Sequence, residues 1–168
     1  TGTGCADATA TRTVTINTAP SAGTLSGTTD ACIAGNTTFS STVGGGTWAS
    51  ATPGVATIDA GTGVITGVSA GTSVMTYTVT GTGGCADATD TRTVTISTAP
   101  SAGTLNGTTT ACVGLTTTFT STVGGGTWTS ASPGVATIVG GTGVITGVSA
   151  GTAVMTYTVT GTGGCADA

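Results

Sequence analysis

The sequence predicts an all-β protein whose unit is written twice, and three observations carry that prediction. Thr11-Arg12-Thr13-Val14-Thr15-Ile16 returns as Thr91-Arg92-Thr93-Val94-Thr95-Ile96, a repeat of 80 residues. Apolar residues alternate with Thr or Ser at period two, as in strands with one buried face. Gly, Pro, Asn and Asp punctuate these runs about every ten residues, and no stretch carries a helical period. Cys5, Cys85 and Cys165 keep the 80-residue spacing, as do Cys32 and Cys112, and Trp48 and Trp128. A unit of that length is a domain rather than one turn of a solenoid.

In the first unit, residues 22–27 are expected to form a short edge strand. Residues 37–43 form a second, with Phe39 and Val43 on one face. Gly45-Gly46 is a turn, and residues 47–50 form a third strand with Trp48 inward. Pro53-Gly54 is a turn in which Pro fixes φ and Gly takes the positive φ. Residues 55–58 and 64–68 flank a Gly61-Thr62-Gly63 hairpin. Residues 73–80 put Met75, Tyr77 and Val79 opposite Thr76, Thr78 and Thr80. After a turn at residues 81–84, residues 89–96 close the unit, with Val94 and Ile96 inward and Thr91, Thr93 and Thr95 outward. Ala99-Pro100-Ser101 is the linker.

Seven short strands without helices are the profile of an antiparallel β-sandwich. The expected core is lean: Leu25, Phe39, Trp48, Ile58, Val64, Val68, Met75, Tyr77, Val79, Val94 and Ile96. Trp48, Trp128, Tyr77 and Tyr157 are its aromatic markers. An 80-residue domain with so small a core is marginal, and disulfides are the usual staple.

The domain frame follows from the repeat. Residues 17–97 make the first unit, and residues 98–168 the second, without a Thr-Arg-Thr-Val-Thr-Ile strand. Residues 1–16 carry one such strand with no unit before it. Either the sequence is a window on a longer tandem array, or the N-terminal strand completes a neighbour by donor-strand addition. The array is favoured, because residues 161–168 would compete with a donor's residues 1–8. The opening Thr-Gly-Thr-Gly-Cys-Ala-Asp-Ala has no signal-peptide character and looks internal to a longer protein.

Composition excludes several functions. Among 168 residues there are two Arg, no Lys, no His and six Asp, for a formal net charge of −4. Nucleic-acid binding rests on phosphate neutralisation by Lys and Arg, which this chain lacks. An anionic membrane surface is disfavoured for the same reason. No apolar run approaches the roughly 18 residues of a membrane span. Soluble domains carry about a quarter or more of their surface as charge; here hydroxyls must do that work, which suits glycan attachment or dense packing against neighbours. Five Cys without His or a Cys-x-x-Cys motif read as disulfides, and hence as an extracellular, secreted or cell-surface location.

The order Trp48, Ser50, Val55-Ala56-Thr57-Ile58, Gly63-Val64, Gly67-Val68, Gly71-Thr72 and Tyr77, with its copies 80 residues on, resembles the bacterial immunoglobulin-like group 2 domain. That module occurs in tandem in invasin- and intimin-like surface proteins. The resemblance covers both units almost entirely and implies tandem seven-stranded immunoglobulin-like β-sandwiches in a surface or secreted rod. It is specific for fold and weak for function. The two Cys per repeat depart from it and look more like the Cys-bearing repeats of large secreted bacterial proteins.

Counting within the frame pairs Cys32 with Cys85 and Cys112 with Cys165, leaving Cys5 for an upstream domain. Geometry in an immunoglobulin-like order objects. Cys32 and Cys85 then lie at opposite ends of a sandwich about 20 Å long, whereas a disulfide needs Cα atoms within about 7 Å. End-to-end stacking would bring Cys32 near Cys165 instead. The expectation is that the Cys32 class pairs with the Cys85 class, with a lean to pairing between domains.

Asn36-Thr37-Thr38 and Asn106-Gly107-Thr108 match the N-glycosylation pattern; their different places in the two repeats fit chance equally well. The outward Thr rows suit lateral packing, carbohydrate or ice, or simply a solvated face. Asp7, Asp87 and Asp167, read with Arg12 and Arg92, suggest a weak surface ion pair. No acidic cluster supplies the six or more oxygens of a calcium site. Without His, Lys or Glu, general acid–base and triad chemistry lack their usual residues, so no enzyme, cofactor or metal is expected. The function expected is a structural repeat of an extracellular bacterial fibre, filament or surface stalk, with copies of itself or neighbouring repeats as partners and glycans as further candidates. The alternative is an adhesin or carbohydrate-binding module, which would need an exposed aromatic platform.

Overall fold

Alternation along the strands decides which side chains meet. In β8 (Gly71–Val79), Ser73, Met75 and Tyr77 are buried while Gly71, Thr72 and Val74 face out. In β9 (Ala88–Ser97), Val94 and Ile96 are buried on the same side. These two strands run antiparallel over nine residue pairs, from Gly71 opposite Ile96 to Val79 opposite Ala88. β5 (Thr47–Ser50) lines the other edge of β8, placing Trp48 opposite Tyr77. β2 (Asp30–Cys32) lines the other edge of β9, completing a four-stranded sheet in the order β2-β9-β8-β5. Facing it are β3 (Asn36–Thr38), β7 (Val64–Gly67) and β6 (Ala56–Ile58) in one ladder, and β1 (Leu25–Ser26) with β4 (Ser40–Ser41) in another. The computed structural model describes residue 4 and residues 9–168. It is all-β, a β-sandwich without a helix among the described residues.

The core between the layers is built on Phe39, Ile65, Met75 and Val94, each fully buried. Trp48 packs on Tyr77 with ring centroids 4.8 Å apart and on Phe39 at 6.2 Å. The Tyr77 hydroxyl donates to the Val43 carbonyl at 2.8 Å and accepts the Gly46 amide at 2.9 Å, pinning the turn before β5. Gly46 is required there, since a Cβ would lie 2.5 Å from Tyr77 Cζ.

Several expectations are corrected. The run 37–43 is not one strand: β3 and β4 are separated at Phe39, whose amide bonds the Gly63 carbonyl. β2 was not expected, and it runs parallel to β9, pairing Ala31 with Ile96, so the sandwich is not wholly antiparallel. Val64 and Val68 are 37% and 48% exposed, not core, and Ile65 is the buried residue of β7. A run with Val or Ile at adjacent positions has no parity of its own; pairing of Ile65 with Ile58 sets it. Ile58 and Val79 are only partly buried, at the margin of the core.

The surface ion pair of Arg92 with Asp87 is also absent. Arg92 shares its face with Val94 and Ile96, and its guanidinium lies 5.3 Å from the Phe39 ring centroid. Its Nη2 donates to the Gly27 carbonyl at 2.8 Å and its Nη1 to the Leu25 carbonyl at 3.4 Å. Asp87 instead accepts the Gly81 amide at 2.8 Å, shaping the turn that carries Cys85. Asp167 does the same for Gly161 and the turn of Cys165.

The second unit repeats one layer and half of the other. β10 (Leu105–Gly107), β11 (Thr116–Ser121), β14 (Val144–Gly147) and β13 (Ala136–Ile138) form a four-stranded sheet in that order. β12 (Thr127–Ser130) and β15 (Met155–Thr158) form a two-stranded one. Registers match the first unit 80 residues earlier: Thr117 pairs with Ile145 as Thr37 pairs with Ile65. The Trp128–Tyr157 stack and the Tyr157 hydroxyl bond to Val123 recur as well. Among the described residues no strand stands where β9 stands in the first unit, and residues 110–112 and 151–154 are not strands. Phe119 and Met155 are consequently half-buried, and Leu105 is 45% exposed where Leu25 is 7%.

Two outcomes are expected. Ile65→Ala should cost about 2–5 kcal/mol in urea unfolding, whereas Val64→Ala should cost no more than about 0.5 kcal/mol. Asp59 Oδ1 accepts the Gly61 and Thr62 amides and the Thr62 hydroxyl, and those bonds, the Thr62 hydroxyl foremost, hold its pKa below the ordinary aspartate value. A carboxyl depressed on folding stabilises above its unfolded pKa and loses that contribution as pH falls through the folded one. Amide NMR shifts of Gly61 and Thr62 should therefore move with a midpoint below 3.8. Those of Gly141 and Thr142, beside Val139, should not.

Candidate functional site

The chemistry-bearing residues gather where one unit meets the next. β2 ends at Cys32 beside Ser97, the last residue of β9, and there the chain passes into the linker. The second unit returns to the same point with its last turn, residues 161–165, closed by the Cys165 amide on the Thr162 carbonyl. Gly163 packs on Ser97, and a Cβ on Gly164 would lie 3.2 Å from the Asp30 carbonyl oxygen. Cys32 and Cys165 are joined there by a disulfide with Cα atoms 4.9 Å apart across 133 residues of sequence. Neither Cys32–Cys85 nor Cys112–Cys165 is formed. Cys85 and Cys112 are free thiols, half-buried and exposed respectively. Cys5 and Asp7 lie outside the described residues, as does most of the N-terminal stretch 1–8.

A second feature is the opening in the second unit. A groove of about 640 Å³ runs past Ala111, Cys112, Phe119, Ile145, Gly151 and Met155. Beside it a smaller hollow of about 140 Å³ is lined by Leu105, Gly107, Phe119 and Met155, among others. Residues 9–17, which copy the start of the closing strand, form no strand here; Val14 and Ile16 are 77% and 85% exposed.

The other candidate residues are dispersed. Asn36 and Asn106 are both exposed, on β3 and β10, and Asn106 Nδ2 donates to the Thr104 carbonyl at 3.3 Å. Trp48 and Trp128 are 6% and 5% exposed, and Tyr77 and Tyr157 are buried with them, so neither indole offers a stacking face to a sugar. The outward Thr rows pair across strands, Thr76 with Thr91 and Thr78 with Thr89, as a hydroxyl-and-methyl face. Among the described residues no three His, Cys, Asp or Glu side chains stand close enough to hold a metal ion. No helix there is long and apolar enough to cross a membrane.

Residue-by-residue reading missed Arg92 and β2. The parity of Arg92 with Val94 and Ile96 was the available signal for the first. β2 had none, because its partner lies 65 residues away in the sequence.

No family model matches the chain, and no curated protein does, so the group 2 immunoglobulin-like resemblance rests on the quoted residues alone. Among solved structures, the chain is similar to domains 4 and 5 of the S-layer protein SbsC. Identity is 19% with a TM-score of 0.39, over 82% of this chain and 91% of that one. It is similar also to domains 1–6 of the surface layer protein SbsC, at 19% identity and a TM-score of 0.36, over 79% of this chain and 25% of that one. At that identity and superposition the likeness assigns no function to this chain.

Cys32→Ser should lower stability by about 2–5 kcal/mol. It should raise amide hydrogen exchange at residues 163–166 while leaving that of the Trp48–Tyr77 strand pair unchanged, as hydrogen-exchange mass spectrometry can measure.

Proposed function

We propose that this chain is a structural repeat of an extracellular bacterial fibre, filament or surface stalk, built end to end from immunoglobulin-like sandwiches. The observation that carries this reading is the Cys32–Cys165 disulfide, which lies at the joint between two repeats rather than inside either one. A staple in that place resists pulling along the chain and serves no pocket. It also belongs to an oxidising compartment, outside the cell.

Three features support the same reading. With two Arg and six Asp, the surface is hydroxyl-covered and able to pack closely against neighbours without like-charge repulsion. Near-identical repeats supply equivalent head-to-tail contacts, which extend as open filaments when the rotation does not close. The aromatic residues are used up in the cores. The chain is read as non-enzymatic, without cofactor, its partners being copies of itself or neighbouring repeats. Glycans on the exposed Asn or Thr side chains are compatible with this role.

Immunogold labelling of intact producing cells, followed by cryo-electron microscopy of the labelled material, tests the reading. Label should follow extracellular fibres with an axial repeat set by the 80-residue unit. Label confined to the cell interior, or to dispersed monomers in the medium, would overturn it.

A further inference from the structure

The two units carry nearly the same sequence, yet only the first is closed. What closes it is β9. Val94 and Ile96 of that strand are 0% and 2% exposed, and Arg92 lies over Phe39. The groove of the second unit is the equivalent slot with the strand absent: Ala111, Cys112, Gly151 and Met155 line it, as Ala31, Cys32, Gly71 and Met75 flank β9. The smaller hollow at Leu105, Gly107, Phe119 and Met155 matches the place where Arg92 meets Leu25, Gly27 and Phe39. The slot even begins in register, because Ala168 and Val159 exchange both backbone hydrogen bonds as the pair equivalent to Ala88 and Val79.

The chain itself carries a strand that fits. Residues 11–16 are identical to residues 91–96, and their apolar side chains are bare to solvent. Residues 9–17 leave the first unit as β9 meets the second. Cys85 Sγ lies 3.7 Å from the Asn17 carbonyl oxygen, and Cys165 Sγ lies 3.5 Å from that of Ser97, 80 residues on. Gly83 packs on Asn17 as Gly163 packs on Ser97. Yet Gly84, the copy of Gly164, touches nothing where Gly164 sits on Asp30 and Ala31.

We propose that residues 9–17 of one copy insert as the missing strand into the second unit of another copy, and that Cys85 of the donor then bonds Cys112 of the acceptor. Adding 80 to Cys32 gives Cys112, and subtracting 80 from Cys165 gives Cys85. The two free thiols are thus the two halves of the next joint. Val14 and Ile16 enter the core opposite Ala153 and Gly151, and Arg12 enters the small hollow over Phe119. The covalent step is thiol–disulfide exchange with a low-molecular-weight disulfide. The Cys85 and Cys112 thiols form one S–S bond, the small disulfide breaks, and it takes up their two electrons and two protons to leave as two thiols. The inference rests on the structural reading above and supplies its joint.

The test mixes full chains labelled with ¹⁴N and ¹⁵N in an oxidised and reduced glutathione buffer, followed by non-reducing electrophoresis and mass spectrometry of linked peptides. A ladder of multimers joined by mixed-isotope Cys85–Cys112 peptides is expected. V14D/I16D changes side chains that are exposed in the single chain, so its circular dichroism and Trp fluorescence should match the parent while multimer yield falls at least tenfold. A peptide of residues 9–17 should cap the slot, stop growth, and slow amide exchange at residues 151–155. Monomer alone, same-label links alone, links through other Cys, or V14D/I16D assembling like the parent would overturn the proposal. The last result would show the slot filled by a different segment. Fibres on cells that lack the Cys85–Cys112 link would reject this joint and leave the fibre reading standing. Their absence together with a mixed-isotope ladder would do the reverse.

Discussion

Two-sided pairing of β9 is the constraint on which the rest depends. The strand makes nine antiparallel pairs with β8 along one edge and three parallel pairs with β2 along the other. No other strand joins two elements over such a length. Its inward face contributes Val94, Ile96 and the Arg92 guanidinium, and these close the core over Phe39 and Met75. The second unit serves as an internal control. Phe119 and Met155 have the same identities and the same neighbours on their own strands, yet they stay half-buried without that strand. Burial of apolar surface is the main favourable term in folding, so a β9-like strand is where much of this small unit's stability resides.

The same constraint explains why the joint between units is chemically distinctive. β9 ends at the linker, so its last residue, Ser97, lies where β2, Cys32 and the final turn of the next unit converge. The turn is shaped by an Asp carboxylate accepting a Gly amide, an arrangement present at both Asp87 and Asp167. That turn presents its Cys to whatever unit stands behind it. A staple at this point ties two sandwiches together, where one inside a sandwich would only stiffen it. The joint depends on small residues. Gly164 sits against β2 at a distance no side chain would tolerate, so the units approach with backbone nearly touching backbone.

Much of the fold was legible from residue order. β5 has the expected bounds, and β8 and β9 extend their expected runs by one to three residues. Alternation was unambiguous there: Met75 and Tyr77 are flanked by Thr, and so are Val94 and Ile96. The buried Trp–Tyr pair was legible for the same reason. β7 was misread because Val64 and Ile65 are neighbours, and an unbroken pair of β-branched residues satisfies either face. β2 was missed because three residues with one Ala inward carry almost no pattern. Arg92 was assigned to the surface on its charge, while its position placed it beside the core. Its long side chain resolves the conflict by laying the guanidinium over an aromatic ring and donating to two carbonyls, a known way for Arg to bury its stem and keep its hydrogen bonds.

By itself, then, the sequence determined the repeat, the all-β class, the strand alternation and the aromatic core, because these depend on residues within a few positions of one another. Only the tertiary structure decided which Cys meet, which face of β7 is inward, where Arg92 sits, and that one unit is closed while the other holds an open slot. Those outcomes depend on contacts between residues 65 to 133 positions apart. A local pattern constrains such contacts only through the side each residue faces, and the partner is chosen by how whole strands and whole units fit together.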